Sequence, residues 1–273
     1  MNTVRVVTSI VSSFGFREEN CIDARIDLAD KMADGCRTLG GAIVAIPAGF
    51  ALARDRQHVP IIAKRAAQPF NGMGVLVGVD LEEEAATTKK AVAISRKKSR
   101  LTTSEEWPFY VCAIDRHGSV CAVWQQRSVT GGDDAWRVPD QIAAEPRTLP
   151  GFEGLCLSLL ACGEVFNPRI QDTVCAEQPD LIVDLGHNGM GRGLQATLPN
   201  LASRSGAWVL HSQHVSQWSF APTKRCASPN PPYARDTRRA DIRIGSRTDD
   251  DSAGGLWAEL TCWEIPCRMD RAS

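Results

Sequence analysis

Apolar runs alternate with amphipathic segments in the first eighty residues, and this order restricts the fold more than any other feature. Val4–Val11, Ala42–Ile46 and Val75–Val79 are β-branched or wholly apolar, as is typical of strands buried in a sheet. Between the first two runs, apolar side chains recur every three or four residues from Ile22 to Cys36, which predicts an amphipathic helix. Residues 51–68 are predicted as a second helix. The β-α-β order therefore predicts an α/β layered fold.

The second half of the chain continues with strands and one further helix. A hairpin is predicted over Tyr110–Trp124, closed by a turn at Gly118. Residues 221–255 are rich in Pro, Arg, Asp, Gly and Ser, and they predict a long surface loop. The length of 273 residues fits a single domain over 1–273. The other predicted elements are strands at Leu155–Cys162, Leu181–Leu185, Trp208–His211 and Leu256–Trp263 and a helix at Leu194–Gly206.

Charge and cysteine usage exclude several classes of protein. With 31 basic against 32 acidic residues, a general nucleic-acid binder or a membrane-surface protein is not expected. No stretch approaches about 20 apolar residues, and the N-terminus is too short and polar for a signal peptide. The ten cysteines are therefore expected to be reduced thiols of a cytoplasmic protein. The five histidines lack zinc-finger spacing, so neither a metal nor a cofactor is predicted.

A basic stretch, Lys89–Arg100, has six basic residues and no acid. Phosphate binding is one interpretation. Acidic residues flank the stretch, at Leu81–Glu84 and at Glu105 and Glu106, so a solvated edge is the favoured interpretation.

Cys162 is the first candidate for chemistry. It ends an apolar run and is followed by Gly163 and the acidic Glu164, which predicts a strand-to-helix elbow. A helix N-terminus favours the thiolate over the thiol, although most cysteines in apolar runs are inert core residues. A glycine-rich segment follows the strand at Leu181–Leu185, but its spacing fits no phosphate-binding motif.

Five segments, in this order, resemble the nitrilase, or carbon–nitrogen hydrolase, superfamily over about residues 4–218. They are Ile46-Pro47-Ala48, Val123-Trp124-Gln125-Gln126, Ala161-Cys162-Gly163-Glu164, Pro179-Asp180-Leu181-Ile182 and Ala202–Val209. The resemblance implies a four-layer α-β-β-α sandwich, a homodimer and hydrolysis of a small-molecule amide or nitrile. In this family a cysteine nucleophile works with a glutamate base, a lysine and a second, assisting glutamate.

The resemblance places Cys162 at the nucleophile, Ala48 at the base and Gln126 at the lysine. Glu145 is the candidate for the second glutamate. Positions 48, 126 and 162 are expected to meet in one pocket at the strand ends. We predict that Glu164, His187 and Asn188 contact substrate.

The departures from the family set predict impaired or lost hydrolysis. Alanine takes no proton, and glutamine offers only a neutral dipole where negative charge develops. Two alternatives stay open. One is an active amidohydrolase that uses Cys162 with Glu145 or Glu164 as base and Gln126 or Arg127 at the oxyanion. The other is a binding module without catalysis.

Overall fold

The computed structural model describes residues 3–12, 22–82, 109–128, 144–187, 191–215, 226–229, 238–244 and 256–267. The strands are β1 (Thr3–Ser12), β2 (Ile43–Ala53), β3 (Gly74–Leu81), β4 (Phe109–Ile114), β5 (Val120–Gln125), β6 (Thr148–Phe152), β7 (Leu155–Ala161), β8 (Leu181–Gly186), β9 (Trp208–Val215), β10 (Cys226–Ala227), β11 (Arg238–Ile244) and β12 (Ala258–Pro266). The helices are α1 (Ile22–Thr38), α2 (Val59–Ala67), α3 (Pro168–Glu177) and α4 (Gly191–Ser205), with 3₁₀ helices at Gln68–Phe70 and Cys162–Phe166.

Strand β1 joins two halves of one hydrogen-bonded sheet, whose main path runs β5-β4-β3-β2-β1-β9-β8-β7-β6. Its Val6–Thr8 segment pairs in parallel with β2, whereas its Ile10–Ser12 segment pairs in parallel with β9. Strand β12 pairs antiparallel with β1 and carries β11. The sheet therefore divides at β1 into a first half-sheet, which runs from β2 to β5, and a second half-sheet, which runs from β9 to β6.

Three apolar clusters separate four layers, which confirms the predicted α-β-β-α sandwich. The first lies between α1, α2 and the half-sheet of β2, β3 and β4, and the third lies between α3, α4 and the half-sheet of β7, β8 and β9. The second contains strand residues of both half-sheets and fills the space between them. Strand alternation assigns the faces: in β2, Val44 and Ile46 join the first cluster, whereas Ile43 and Ala45 join the second.

The structure differs from the local sequence prediction in two segments. Ala51–Ala53 does not begin a helix but extends β2, where it pairs with Val79–Leu81 of β3. Strand pairing outweighs the helix propensity of alanine and leucine here. The expected loop over 221–255 contains β10 and β11, and β11 pairs with β12.

The basic stretch Lys89–Arg100 lies outside the described residues. Within the described ranges, no helix is long and apolar enough to cross a membrane.

Gly78 allows β2 and β3 to approach closely where β2 departs from regular pairing between Ile46 and Ala51. A Cβ at Gly78 would lie 2.1 Å from the Cα of Ala48 and 2.8 Å from its backbone nitrogen. Because backbone atoms block the space, a side chain at this position requires the two strands to separate.

Replacing Gly78 with alanine is expected to destabilise the protein by about 3 kcal/mol, the cost of overpacking a rigid core. Urea unfolding measures the change. The matched control is Gly193→Ala on α4, where the new Cβ meets Phe166 at 3.4 Å. It should raise stability slightly, by about 0.5 kcal/mol, since alanine is the better helix former. Equal midpoints for the two variants would contradict this account of the β2–β3 contact.

Candidate active site

Three side chains with reactive or ionisable groups lie at or near strand ends on the same edge of the sandwich. Cys162 directly follows β7, His187 directly follows β8, and Asp80 is the penultimate residue of β3. Strands β7, β8, β9, β1, β2 and β3 are linked by parallel pairing, so their carboxyl ends share one edge. In α/β sheets this edge is where ligands bind.

Cys162 lies on the strand-to-helix turn that the sequence predicts. Its backbone has φ 48°, in the left-handed region, and the chain continues directly into the 3₁₀ helix Cys162–Phe166. This conformation costs a residue with a Cβ about 1–2 kcal/mol, so the surrounding contacts must hold it in place. Cys162 is half-buried, on a sharp turn of the kind that presents a nucleophile above a sheet.

His187 lies beside this thiol and is itself buried, with 4% of its surface exposed. Its Nε2 lies 3.0 Å from Asp80 Oδ1, and the ring also hydrogen-bonds with the side chain of Cys162. The Phe109 ring packs against the imidazole at 4.5 Å between centroids. His187 therefore connects the thiol of one half-sheet to a carboxylate of the other.

The charge of His187 is set by its neighbours. Burial by itself lowers the pKa of the imidazolium, but the Asp80 carboxylate and the Cys162 side chain more than offset this effect. Together they raise the pKa of His187 to about 9. The site therefore favours a protonated histidine at neutral pH.

Sequence analysis missed Asp80. It is fully buried, and its position in the alternation of β3 places it on the same face as Leu76, in the cluster between the half-sheets. The signal was a single acidic residue within the apolar run Val75–Leu81. The sequence predicts that His187 contacts substrate, but it does not predict that His187 lies beside the thiol.

Glu164 is a fully buried carboxylate that accepts hydrogen bonds from four donors. Oε1 accepts from the backbone nitrogen of Arg127 at 2.5 Å and from its Nε at 3.2 Å. Oε2 accepts from Arg147 Nη1 at 3.0 Å and from the Ala161 backbone nitrogen at 3.0 Å. Both arginine side chains are 2% exposed, so Arg127 and Arg147 are buried together with this carboxylate.

Arg147 is a further residue that sequence analysis missed. Burial lowers the pKa of its guanidinium to about 10, and the Glu164 carboxylate opposes that shift. The guanidinium also lies 6.0 Å from the centre of the Trp124 ring. The two arginines neutralise Glu164 and fix the turn that carries Cys162.

The remaining predicted site residues take different positions. Glu145 is exposed, and its carbonyl oxygen accepts a hydrogen bond from Arg127 Nη1 at 2.7 Å. Ala48 is buried between the half-sheets. Gln126 is buried next to Phe109, whose carbonyl oxygen accepts from the Gln126 backbone nitrogen, and its side-chain amide donates to the Ser128 carbonyl at 2.5 Å. Asn188 lies outside the described residues.

A second histidine–aspartate pair lies deeper in the protein. His211 Nδ1 is 2.7 Å from Asp184 Oδ2, and its Nε2 is 2.9 Å from Gln213 Oε1. All three side chains are fully buried, and burial raises the pKa of Asp184. This pair belongs to the core of the second half-sheet.

No protein-family model matches the chain, and no curated protein matches it in sequence. Solved structures of an amidase from Nesterenkonia sp. AN1 match its fold. A mutant with the acetamide moiety of fluoroacetamide on the active-site cysteine is 16% identical, with a TM-score of 0.60 over 96% of this chain and 90% of that chain. A mutant with acrylamide added to that cysteine is also 16% identical, with a TM-score of 0.59 over 98% and 96%.

A third structure, a mutant described as an amidase of the nitrilase superfamily, is 14% identical, with a TM-score of 0.58 over 96% of this chain and 90% of that chain. The chain therefore has the fold of nitrilase-superfamily amidases along nearly its whole length.

Glu164→Gln is expected to destabilise the protein by about 3–5 kcal/mol, because it leaves two buried guanidinium groups without their counter-charge. Glu145→Gln is the matched control and should change the free energy of unfolding by less than about 0.5 kcal/mol, since its side chain is exposed. Urea unfolding of both variants provides the comparison. A Glu164→Gln variant as stable as the control would refute the anchoring role.

The pH dependence of stability should report the charge on His187. Its pKa is raised from 6.5 to about 9 on folding, so its contribution is fully present below pH 6.5 and is lost as pH rises through about 9. Over this window, the native protein should lose stability relative to His187→Gln. Parallel unfolding curves for the two proteins across the window would contradict the assigned shift.

Proposed function

We propose that this protein is a thiol hydrolase that cleaves the carbon–nitrogen bond of small amides, with Cys162 as its nucleophile. The observation that carries the proposal is the half-buried Cys162 on a left-handed turn, hydrogen-bonded to a buried imidazole. An inert core thiol needs neither the strained turn nor a titratable partner.

The structural neighbours support the choice of substrate. In two of them the active-site cysteine carries a covalent adduct of an amide reagent, the acetamide moiety in one and acrylamide in the other. In those proteins the cysteine is nucleophilic toward small reagents that contain an amide, and we propose the same for Cys162 in this similar fold. Small, uncharged amides are therefore the substrates that we propose.

The reaction would proceed through a thioester. The Cys162 sulfur bonds to the amide carbonyl carbon, and the π electron pair moves to oxygen. Collapse of this intermediate breaks the carbon–nitrogen bond, and the protonated nitrogen leaves as ammonia or an amine. Water then attacks the thioester, which releases the carboxylic acid and the free thiol.

Gln126 and Ala48 replace the lysine and the glutamate of the family's catalytic set, so this site lacks those two charged groups. Gln126 donates one amide hydrogen to Ser128 and has no positive charge for a developing oxyanion. Loss of one such donor costs about 10²–10³ in rate, so we propose a slow hydrolase rather than an inactive one. Neither Glu164, which has four hydrogen-bond donors around it, nor the exposed Glu145 is assigned as the base.

Cys162→Ala is expected to lower amide hydrolysis by at least about 10³-fold, because it removes the nucleophile. Ammonia release from acetamide, propionamide and acrylamide measures the reaction. Cys121→Ala, at an exposed cysteine, is the control and should keep native activity. Absence of turnover in the native protein, or turnover that survives in Cys162→Ala, would refute the proposed function.

A further inference from the structure

We propose that His187 and Asp80 form a triad with Cys162, in which His187 moves the proton of the thiol and Asp80 positions the ring. The catalytic part of this inference rests on the proposed function. It assigns the base to a histidine on the second half-sheet, in place of the glutamate whose position is Ala48.

Geometry is the first support. The carboxylate Oδ1 of Asp80 lies 3.0 Å from Nε2 of His187, within hydrogen-bonding distance. His187 also hydrogen-bonds with the Cys162 side chain, so the imidazole lies between a carboxylate and a thiol. This arrangement activates a thiol: the nucleophile contacts a base, and a third group orients the base.

Burial is the second support. Asp80 has no exposed surface, His187 has 4%, and Phe109 packs against the ring. A buried carboxylate attracts an imidazolium more strongly than an exposed one, because water screens the pair less. The position of Asp80 on β3 and of His187 at the end of β8 is fixed by two half-sheets, which limits movement of the ring.

The charges around His187 favour its protonated form. The titratable groups that face it within the described residues are Asp80 from β3, Cys162 from the 3₁₀ helix and Asp184 from β8. Asp184 is itself engaged by His211. Transfer of the thiol proton to His187 therefore produces a thiolate and an imidazolium that Asp80 stabilises.

The proton balance requires no other group. The Cys162 thiol gives its proton to Nδ1 of His187, since Nε2 faces Asp80. When the carbon–nitrogen bond breaks, Nδ1 returns this proton to the leaving nitrogen. In the second half of the reaction His187 takes a proton from the attacking water and returns it to the sulfur as the thioester opens.

Alkylation of Cys162 by iodoacetamide tests the triad without requiring amide turnover. At pH 7, His187→Gln should lower the rate at Cys162 by about 30-fold, since only ~3% of an ordinary thiol of pKa 8.5 is ionised there. Mass spectrometry of the Cys162 and Cys121 peptides gives both rates from one sample. Cys121 is exposed and is the internal reference, and its rate should not change.

The role of Asp80 is tested by a pH profile that a purely structural residue would not affect. Iodoacetate is an anion and is attracted by the imidazolium, so its rate relative to iodoacetamide should fall as His187 loses its proton, near pH 9 in the native protein. In Asp80→Asn this fall should occur at lower pH, because the carboxylate that raises the pKa of His187 is gone. Asp80→Asn with a native profile would overturn the positioning role.

His58→Gln is the matched control, because His58 forms a 2.8 Å contact with Asp55 at the protein surface and should not affect Cys162. Circular dichroism checks that each variant is folded. A second measurement leaves His187 unchanged: the absorbance of the Cys162 thiolate, taken as the difference between the native protein and Cys162→Ser. This thiolate absorbance should still be present at neutral pH.

The two proposals fail in different ways. Native alkylation of Cys162 in His187→Gln, or no thiolate at neutral pH in the native protein, overturns the triad even if amides are hydrolysed. Slowed alkylation in His187→Gln without any amide turnover supports the triad and refutes the hydrolase.

Discussion

The buried carboxylate of Glu164 is the interaction on which the site depends. Arg127 binds this carboxylate from just after β5, the strand at one edge of the sheet. Arg147 binds it from the segment before β6, the strand at the opposite edge. Its remaining bond, to the Ala161 backbone nitrogen, holds the end of β7. Because a lone buried charge is costly, the three side chains are stable only together, and together they hold the turn at Cys162.

That turn connects stability to chemistry. The left-handed backbone of Cys162 is unfavourable by itself, and the Glu164 cluster and the helix α3, capped by Asn167, follow immediately. A strained turn held by its surroundings keeps the thiol at the carboxyl edge of the sheet instead of in the apolar cluster between the half-sheets. Cys112 is buried in the first apolar cluster, where burial raises the pKa of its thiol to about 12, and it shows what an apolar surrounding does to a thiol.

The histidine–aspartate pair changes what the missing family residues imply. Ala48 and Gln126, considered alone, predict a site without a base and without a positive charge. In the folded protein a buried imidazole with a raised pKa lies against the thiol and a carboxylate lies behind it. In the triad that we propose, the neutral imidazole is the base and its protonated form supplies the positive charge, so the same fold would use a different set of side chains.

The sequence by itself determined the α/β layering, most strands, α1 and the elbow at Cys162, because each follows from local periodicity or a short motif. Only the tertiary structure decided that β2 extends through Ala53, that β11 forms within 221–255, and that Glu164 binds Arg127 and Arg147. It also brought together Asp80 and His187, which are 107 residues apart. Periodicity reports which face of an element is apolar, whereas these contacts depend on which strands become neighbours when β1 divides the sheet.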